Sequence, residues 1–164
     1  MRLWCGASYS ILADHLRVRW IRTHSHKSRM IQGWHNKGYL ILFDERDEAS
    51  AMHDLYAIAS VLPDFTLVGL MGWDDFILRD ASGQLFTAPT VPLLRGHLRP
   101  LTSRVDPAKV RPDARFTDRI KWYVQPILFG GDPDSQQNMT WLSLDQHSEA
   151  VKWWNNKYRE LQSI

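Results

Sequence analysis

Short apolar runs bounded by turn residues predict several strands in the middle of the chain. Residues 38–43 are an uninterrupted apolar run rich in β-forming side chains, which predicts a buried strand. Residues 65–71 predict a second strand, residues 72–75 predict a bend or bulge after it, and residues 76–80 predict a third strand. A tight turn then leads to a hairpin partner over residues 84–88.

Two other segments show the helical period. Residues 49–62 predict a helix that ends at Pro63. A second helix follows a capping box at residues 143–146 and runs to the neighbourhood of Leu161. The apolar stripe of this second helix holds His147, Val151, Trp154, Tyr158 and Leu161.

The remaining segments have weaker patterns. Residues 93–118 are polar, contain three prolines and predict a long surface loop with one helical turn. Residues 120–129 predict a strand that Pro126 places at a sheet edge or kinks, and residues 138–142 predict a short strand. Strands and separate helices together indicate a single α+β domain over residues 30–164.

The first 29 residues differ from the rest in charge and pattern. They carry six basic residues and one acidic residue, a net charge of +5, whereas residues 30–164 carry 14 basic and 17 acidic residues, a net charge of −3. Two interpretations of this basic leader stay open. Either the native chain starts at Met30, or the leader is native and forms a short helix over residues 10–21.

The composition of the chain limits the cellular compartments in which the protein is expected. The single cysteine, Cys5, excludes a disulfide within the chain. No apolar run approaches the roughly 18 residues that a membrane helix needs. The apolar stretch near the N-terminus is cut by Asp14 and several basic residues, unlike that of a signal peptide. We therefore expect a cytoplasmic protein that does not bind a membrane.

The motifs of common catalytic sites are missing from the sequence. His147-Ser148-Glu149 matches part of a zinc deaminase motif, but the chain lacks the cysteine pair that completes it, so we interpret His147 as a hydrogen-bonded core histidine. There is no Gly-x-Ser-x-Gly elbow and no phosphate-binding glycine loop. We expect no metal and no cofactor.

Two alternatives to a simple binding role stay open. A hydrolase could use one of the carboxylate pairs at residues 74–75, 132–134 or 44–48, although a position in a turn or at a helix start is the favoured explanation for such carboxylates. A small nucleic-acid-binding module could use an arginine-rich loop over residues 95–115, although the net acidity of the main body opposes it. The arginines of this loop are Arg95, Arg99, Arg104, Arg111 and Arg115.

The last third of the chain resembles a known family. Gly130-Gly131-Asp132-Pro133, then Asn138-x-x-Trp141-Leu142, then a helix with Trp153-Trp154-Asn155, resembles the ends of bacterial polymorphic-toxin immunity proteins of the SUKH superfamily. The resemblance implies a twisted, mainly antiparallel sheet packed by two or three helices, including a Trp-rich C-terminal helix. It also implies that the chain binds and neutralises a cognate bacterial toxin by masking its active site.

The resemblance further suggests which side chains meet the toxin. Acidic side chains would cover a cationic active site, such as that of a basic nuclease, and exposed tryptophans would serve as anchors. The candidate acidic contacts are Asp44, Glu45, Asp47, Asp74, Asp75, Asp132 and Asp134. The candidate aromatic anchors are Trp73 and Trp153, whereas Trp154 is assigned to the core.

Overall fold

A computed structural model describes residues 30–43 and 46–163 of the chain. The basic leader, Asp44 and Glu45 lie outside the described residues. The strands are β1 (Met30–His35), β2 (Gly38–Phe43), β3 (Thr66–Met71), β4 (Asp75–Arg79), β5 (Leu85–Pro89), β6 (Arg99–Pro100), β7 (Ile120–Tyr123) and β8 (Met139–Leu142). The α-helices are α1 (Arg46–Leu55) and α2 (Leu144–Gln162).

The strands form two antiparallel sheets. In the larger sheet the order is β1-β2-β3-β4-β5-β6, so every strand pairs with its neighbour in sequence, and β7 pairs with β8 in the smaller sheet. This confirms the predicted α+β fold with a mainly antiparallel sheet and a C-terminal helix that carries tryptophans. At the first end of the large sheet Thr66 pairs with Arg79, and at the second end Met71 pairs with Asp75.

Strand β1 was absent from the sequence prediction. It pairs with β2 along its whole length through a turn at Asn36, whose φ of 56° lies in the left-handed region that asparagine tolerates. Gln32, Gly33 and His35 interrupt its apolar pattern. The strand is nevertheless extended, because it lies at the sheet edge with most of its side chains half-buried.

Two predicted elements have different bounds in the structure. The helix predicted over residues 49–62 begins at Arg46 and ends at Leu55, and a 3-10 turn at Ile58–Ser60 then carries Ile58 into the core. The strand predicted over residues 120–129 ends at Tyr123. Pro126 instead precedes a 3-10 turn at Ile127–Phe129, because proline cannot donate the hydrogen bond that a continuing strand needs.

Both faces of the large sheet are covered. One face, with Tyr39 and Phe76, belongs to a core cluster that also contains buried residues of β7 and α2. The other face, with Leu40 and Ile77, is covered by Leu101, Val105 and Val110. Residues 93–118 are therefore more than the surface loop that their polarity predicts. They contain β6 and two 3-10 turns and form part of the second core cluster.

Candidate protein-binding surface

The described part of the chain exposes four large hydrophobic side chains, and all four belong to one 3-10 turn or to helix α2. The exposed fractions are 53% for Ile127, 56% for Leu128, 41% for Trp153 and 49% for Leu161. The turn packs on the helix beneath them: the ring centroids of Phe129 and Trp154 are 4.6 Å apart, and those of Trp154 and Trp153 are 4.7 Å apart. We call Ile127, Leu128 and Trp153 the apolar patch.

The sequence around the 3-10 turn explains why apolar side chains face solvent there. Pro126 precedes the turn, and Gly130 ends it with a φ of 84°, a conformation that favours glycine. At Gly131 the chain passes so close to the preceding segment that an added Cβ would lie 1.8 Å from the Gln125 carbonyl oxygen. The backbone therefore folds back tightly and leaves Ile127 and Leu128 at the outside.

A buried amide holds the two ends of this loop together. Asn138 accepts a hydrogen bond from the backbone N–H of Gln125 at 2.8 Å. It donates to the carbonyl oxygens of Gln125 at 3.0 Å and of Asp132 at 3.1 Å. Sequence reasoning missed this role, because nothing in a single sequence links an asparagine to a carbonyl 13 residues earlier.

Helix α2 supplies the other side of the patch. Its capping box is present as predicted, with the Gln146 N–H donating to the Ser143 hydroxyl and the Gln146 amide accepting from the Ser143 N–H. Along the predicted apolar stripe, His147, Val151 and Trp154 are buried, but Leu161 is exposed. The stripe therefore continues beyond the part of the helix that the body covers.

Two carboxylates follow the 3-10 turn directly. Asp132 and Asp134 are exposed, and residues 124–138 contain these two acids and no lysine or arginine. Within the described residues neither carboxylate forms an ion pair, although Asp132 accepts a 2.9 Å hydrogen bond from the Asp134 N–H. Asp132 and Asp134 thus follow the turn that packs on α2, and α2 carries Trp153.

The other acidic candidates lie elsewhere. Asp47 is in the first turn of α1, near the first end of the large sheet, whereas Asp74 and Asp75 lie at its second end. The two ends are separated by a strand of about 20 Å. Asp44 and Glu45 fall outside the described residues.

Trp73 is only half accessible. Its ring stacks on Tyr39 with centroids 5.0 Å apart and an interplanar angle of 18°, and Trp34, Phe116 and Trp141 meet it edge-on. Its indole nitrogen is buried. The residue therefore forms part of an aromatic cluster against the core, in contrast to the exposed Trp153.

The carboxyl groups of Asp74 and Asp75 have altered acidity and lie outside the two clefts described here. Burial raises the pKa of both carboxyl groups, and the Asp75 charge raises the pKa of Asp74 further. The charges of Lys121 and Arg99 act in the opposite direction on Asp74 and Asp75 respectively. Neither carboxylate lines the 550 Å³ cleft beside α1 or the 220 Å³ cleft beside β1. No group of three metal-ligating side chains occurs within residues 30–43 and 46–163.

The arginines of the predicted loop do not form one basic surface. Arg95 pairs with Asp64 at 2.7 Å, and Arg115 pairs with Asp113 at 2.7 Å. Arg99 lies on β6, at one edge of the large sheet, whereas the Arg111 backbone bonds Trp34 on β1, at the opposite edge. Five strand spacings, about 24 Å, separate those edges.

Comparison with known proteins identified no relative of this chain. No protein-family model, no curated protein and no solved structure matches the chain. Among the described helices, none combines the length and apolar character that crossing a membrane requires.

Proposed function

We propose that this chain is a bacterial immunity-type protein that binds a cognate toxin in the cytoplasm and masks its active site. The observation that supports this function is the apolar patch of Ile127, Leu128 and Trp153, together with two exposed carboxylates after the same turn that form no ion pair with the described residues. The resemblance of the last third of the chain to SUKH-type immunity proteins supports the same class of partner.

The patch has the chemistry of a protein interface. Stable interfaces centre on a few desolvated apolar or aromatic anchors surrounded by polar groups, and tryptophan is enriched among the residues that contribute most. Trp153 projects from a rigid helix, and Ile127 and Leu128 project from a turn that Asn138 holds in place. An ordered surface of this kind loses little conformational entropy when a partner binds.

The charge beside the patch favours a basic partner. Asp132 and Asp134 have no cationic neighbour in residues 124–138, and the main body carries a net charge of −3 from 14 basic and 17 acidic residues. Complementary charge accelerates the encounter with a positively charged surface and discriminates against acidic partners. A toxin with a cationic active site, such as a nuclease, fits this surface.

The proposal is tested with the toxin encoded beside the gene of this chain. We expect co-expression to restore growth and the two purified proteins to form a one-to-one complex. Trp153→Ala should weaken that complex by about 30-fold or more, the loss typical of an interface anchor. Leu128→Ser provides a second variant that should keep the fold, because the Leu128 side chain is exposed.

Matched charge variants test the acidic part of the surface. Asp132→Asn and Asp134→Asn should slow association most at low salt, because they remove long-range attraction. Asp54→Asn removes an exposed acid from α1 and should leave association unchanged. Continued killing with both proteins abundant, or full affinity in Trp153→Ala and Leu128→Ser, would contradict the proposed function.

A further inference from the structure

A second feature is independent of the apolar patch. An open cleft of about 550 Å³ lies between helix α1 and the first end of the large sheet. Its polar lining residues are Arg46, Ser50, His53, Thr66 and Arg79, and we call this site the basic cleft. Its apolar lining residues are Phe43, Ala49, Pro63, Phe65 and Val68.

The fold brings the polar residues together from two elements. Arg46, Ser50 and His53 are spaced four and three residues apart on α1, so they lie on one face of the helix. Thr66 and Arg79 are direct partners across strands β3 and β4. Two arginines, one from the helix and one from the sheet, therefore line the same cleft.

These two guanidinium groups are not neutralised by the described residues. Neither Arg46 nor Arg79 forms an ion pair within residues 30–43 and 46–163, whereas nearby Arg95 pairs with Asp64 at 2.7 Å. Asp47 belongs to the same helical turn as Arg46 but does not line the cleft. The described lining of the cleft contains no carboxylate at all.

The remaining polar groups add hydrogen-bond donors. The His53 Nδ1 atom accepts a 3.4 Å hydrogen bond from the Leu67 N–H. The hydroxyls of Ser50 and Thr66 can donate hydrogen bonds. The residues that line the cleft therefore include two arginines and two hydroxyl side chains.

We propose that the basic cleft binds a small organic phosphate, a phosphate monoester attached to a ring or apolar body. The planar guanidinium fork matches phosphate oxygens, and two such groups balance a phosphate dianion. Phe43, Phe65 and Val68 offer an apolar wall for the organic body. The volume falls within the range of small-molecule sites. This activity goes beyond toxin binding, because no residue of the apolar patch lines the cleft.

The test uses the full chain and phenyl phosphate as the probe in isothermal titration calorimetry. We expect one-to-one binding, at least tenfold tighter than that of inorganic phosphate, because the phenyl ring also contacts the apolar wall. Arg46→Gln and Arg79→Gln should each weaken phenyl phosphate binding by about tenfold or more, the loss expected for a charge-assisted contact. Arg119→Gln, which removes an exposed arginine outside the cleft, should leave it unchanged.

Three results would overturn the proposal. If phenyl phosphate does not bind, the proposed site does not exist. If folded Arg46→Gln and Arg79→Gln variants bind phenyl phosphate as tightly as the unmodified chain does, the ligand binds elsewhere. Equal affinity for inorganic phosphate and phenyl phosphate shows that the organic body is not recognised. Both arginine variants keep the apolar patch intact. Measuring toxin binding by these variants therefore distinguishes a failure of phosphate binding in the basic cleft from a failure of the proposed function.

Discussion

At the scale of single residues, His147 illustrates how far a sequence pattern can reach. Its position on an apolar stripe predicts a hydrogen-bonded core histidine, and the structure confirms this: the side chain is fully buried, and Nδ1 lies 2.7 Å from the Tyr56 hydroxyl oxygen. The partner could not be predicted, because Tyr56 is 91 residues away and the contact exists only after α2 packs beside residue 56. Trp122 also packs edge-on against the imidazole ring of His147.

This burial predicts a sensitivity to acid. Burial lowers the pKa of His147 to about 3, whereas an unfolded histidine titrates near 6.5. The neutral folded imidazole therefore contributes its full stability above about pH 6.5, and the contribution falls by up to ~1.4 kcal/mol per pH unit as the pH drops towards 3. When the pH falls from about 7 to 5, this titration should lower the unfolding free energy of the unmodified chain by ~2 kcal/mol, as measured in urea titrations. In His147→Gln that part of the loss should be absent.

A matched substitution controls this experiment. His97 is exposed, so His97→Gln should follow the unmodified chain across the same pH interval. Identical pH dependence of the unmodified chain and His147→Gln would show that residue 147 does not stay neutral in the folded protein.

Trp73 and Trp153 show where residue identity alone is ambiguous. Both qualify as candidate aromatic anchors by sequence, since Trp73 precedes two aspartates and Trp153 follows a lysine. Only tertiary packing separates them: Trp73 stacks on Tyr39, whereas Trp153 remains 41% exposed on α2. The choice between core and surface depends on neighbours that the sequence does not place.

At the scale of elements, local signals predicted α2 well and other elements less well. A capping box acts within one turn, so it marks the start of α2 without help from the rest of the fold. The end of α1 is different. Ala57 has a φ of 54°, and the following 3-10 turn buries Ile58, which shows that packing overrides the helical period there.

The loop that presents the apolar patch yields a stability prediction. In Gly131→Ala the added Cβ would lie 1.8 Å from the Gln125 carbonyl oxygen, so the loop must open and break the hydrogen bonds of Asn138. We expect a loss of more than about 2 kcal/mol in chemical denaturation. Gly96→Ala is the matched control, because a Cβ at Gly96 meets nothing within 4 Å, and it should change stability by less than about 0.5 kcal/mol. Equal stability of the two variants would contradict this account of the loop.

At the scale of the whole molecule, topology decides which charges act together. The meander places α1, with Asp47, at the first end of the large sheet and the turn with Asp74 at the second end, so these two acidic candidates lie about one strand length apart. The arginine-rich segment crosses from the β6 edge to the β1 edge and contributes apolar side chains to the second core cluster. Its basic residues are therefore spread rather than concentrated.

The organisation of the core predicts the effect of shortening the chain. Every described member of both hydrophobic clusters lies between Met30 and Trp154, and Met30 pairs with Phe43 at the start of β1. If the native chain starts at Met30, a chain that begins there should differ from the full chain by less than about 1 kcal/mol in unfolding free energy, measured in urea. A loss of several kcal/mol would show that residues 1–29 contribute to the packing.

The sequence by itself determined the features that depend on residues close together in the chain. These are the buried run of β2, the hairpin of β4 and β5, the capping box of α2 and the core position of His147. Capping and strand alternation need only neighbouring residues, so the pattern suffices to predict them. Tertiary structure alone decided that the turn with Ile127 and Leu128 packs on α2 through Phe129 and Trp154, and that Arg46 and Arg79 line one cleft. These contacts join residues from separate elements, because sheet order and helix packing, which no local period encodes, bring those elements together.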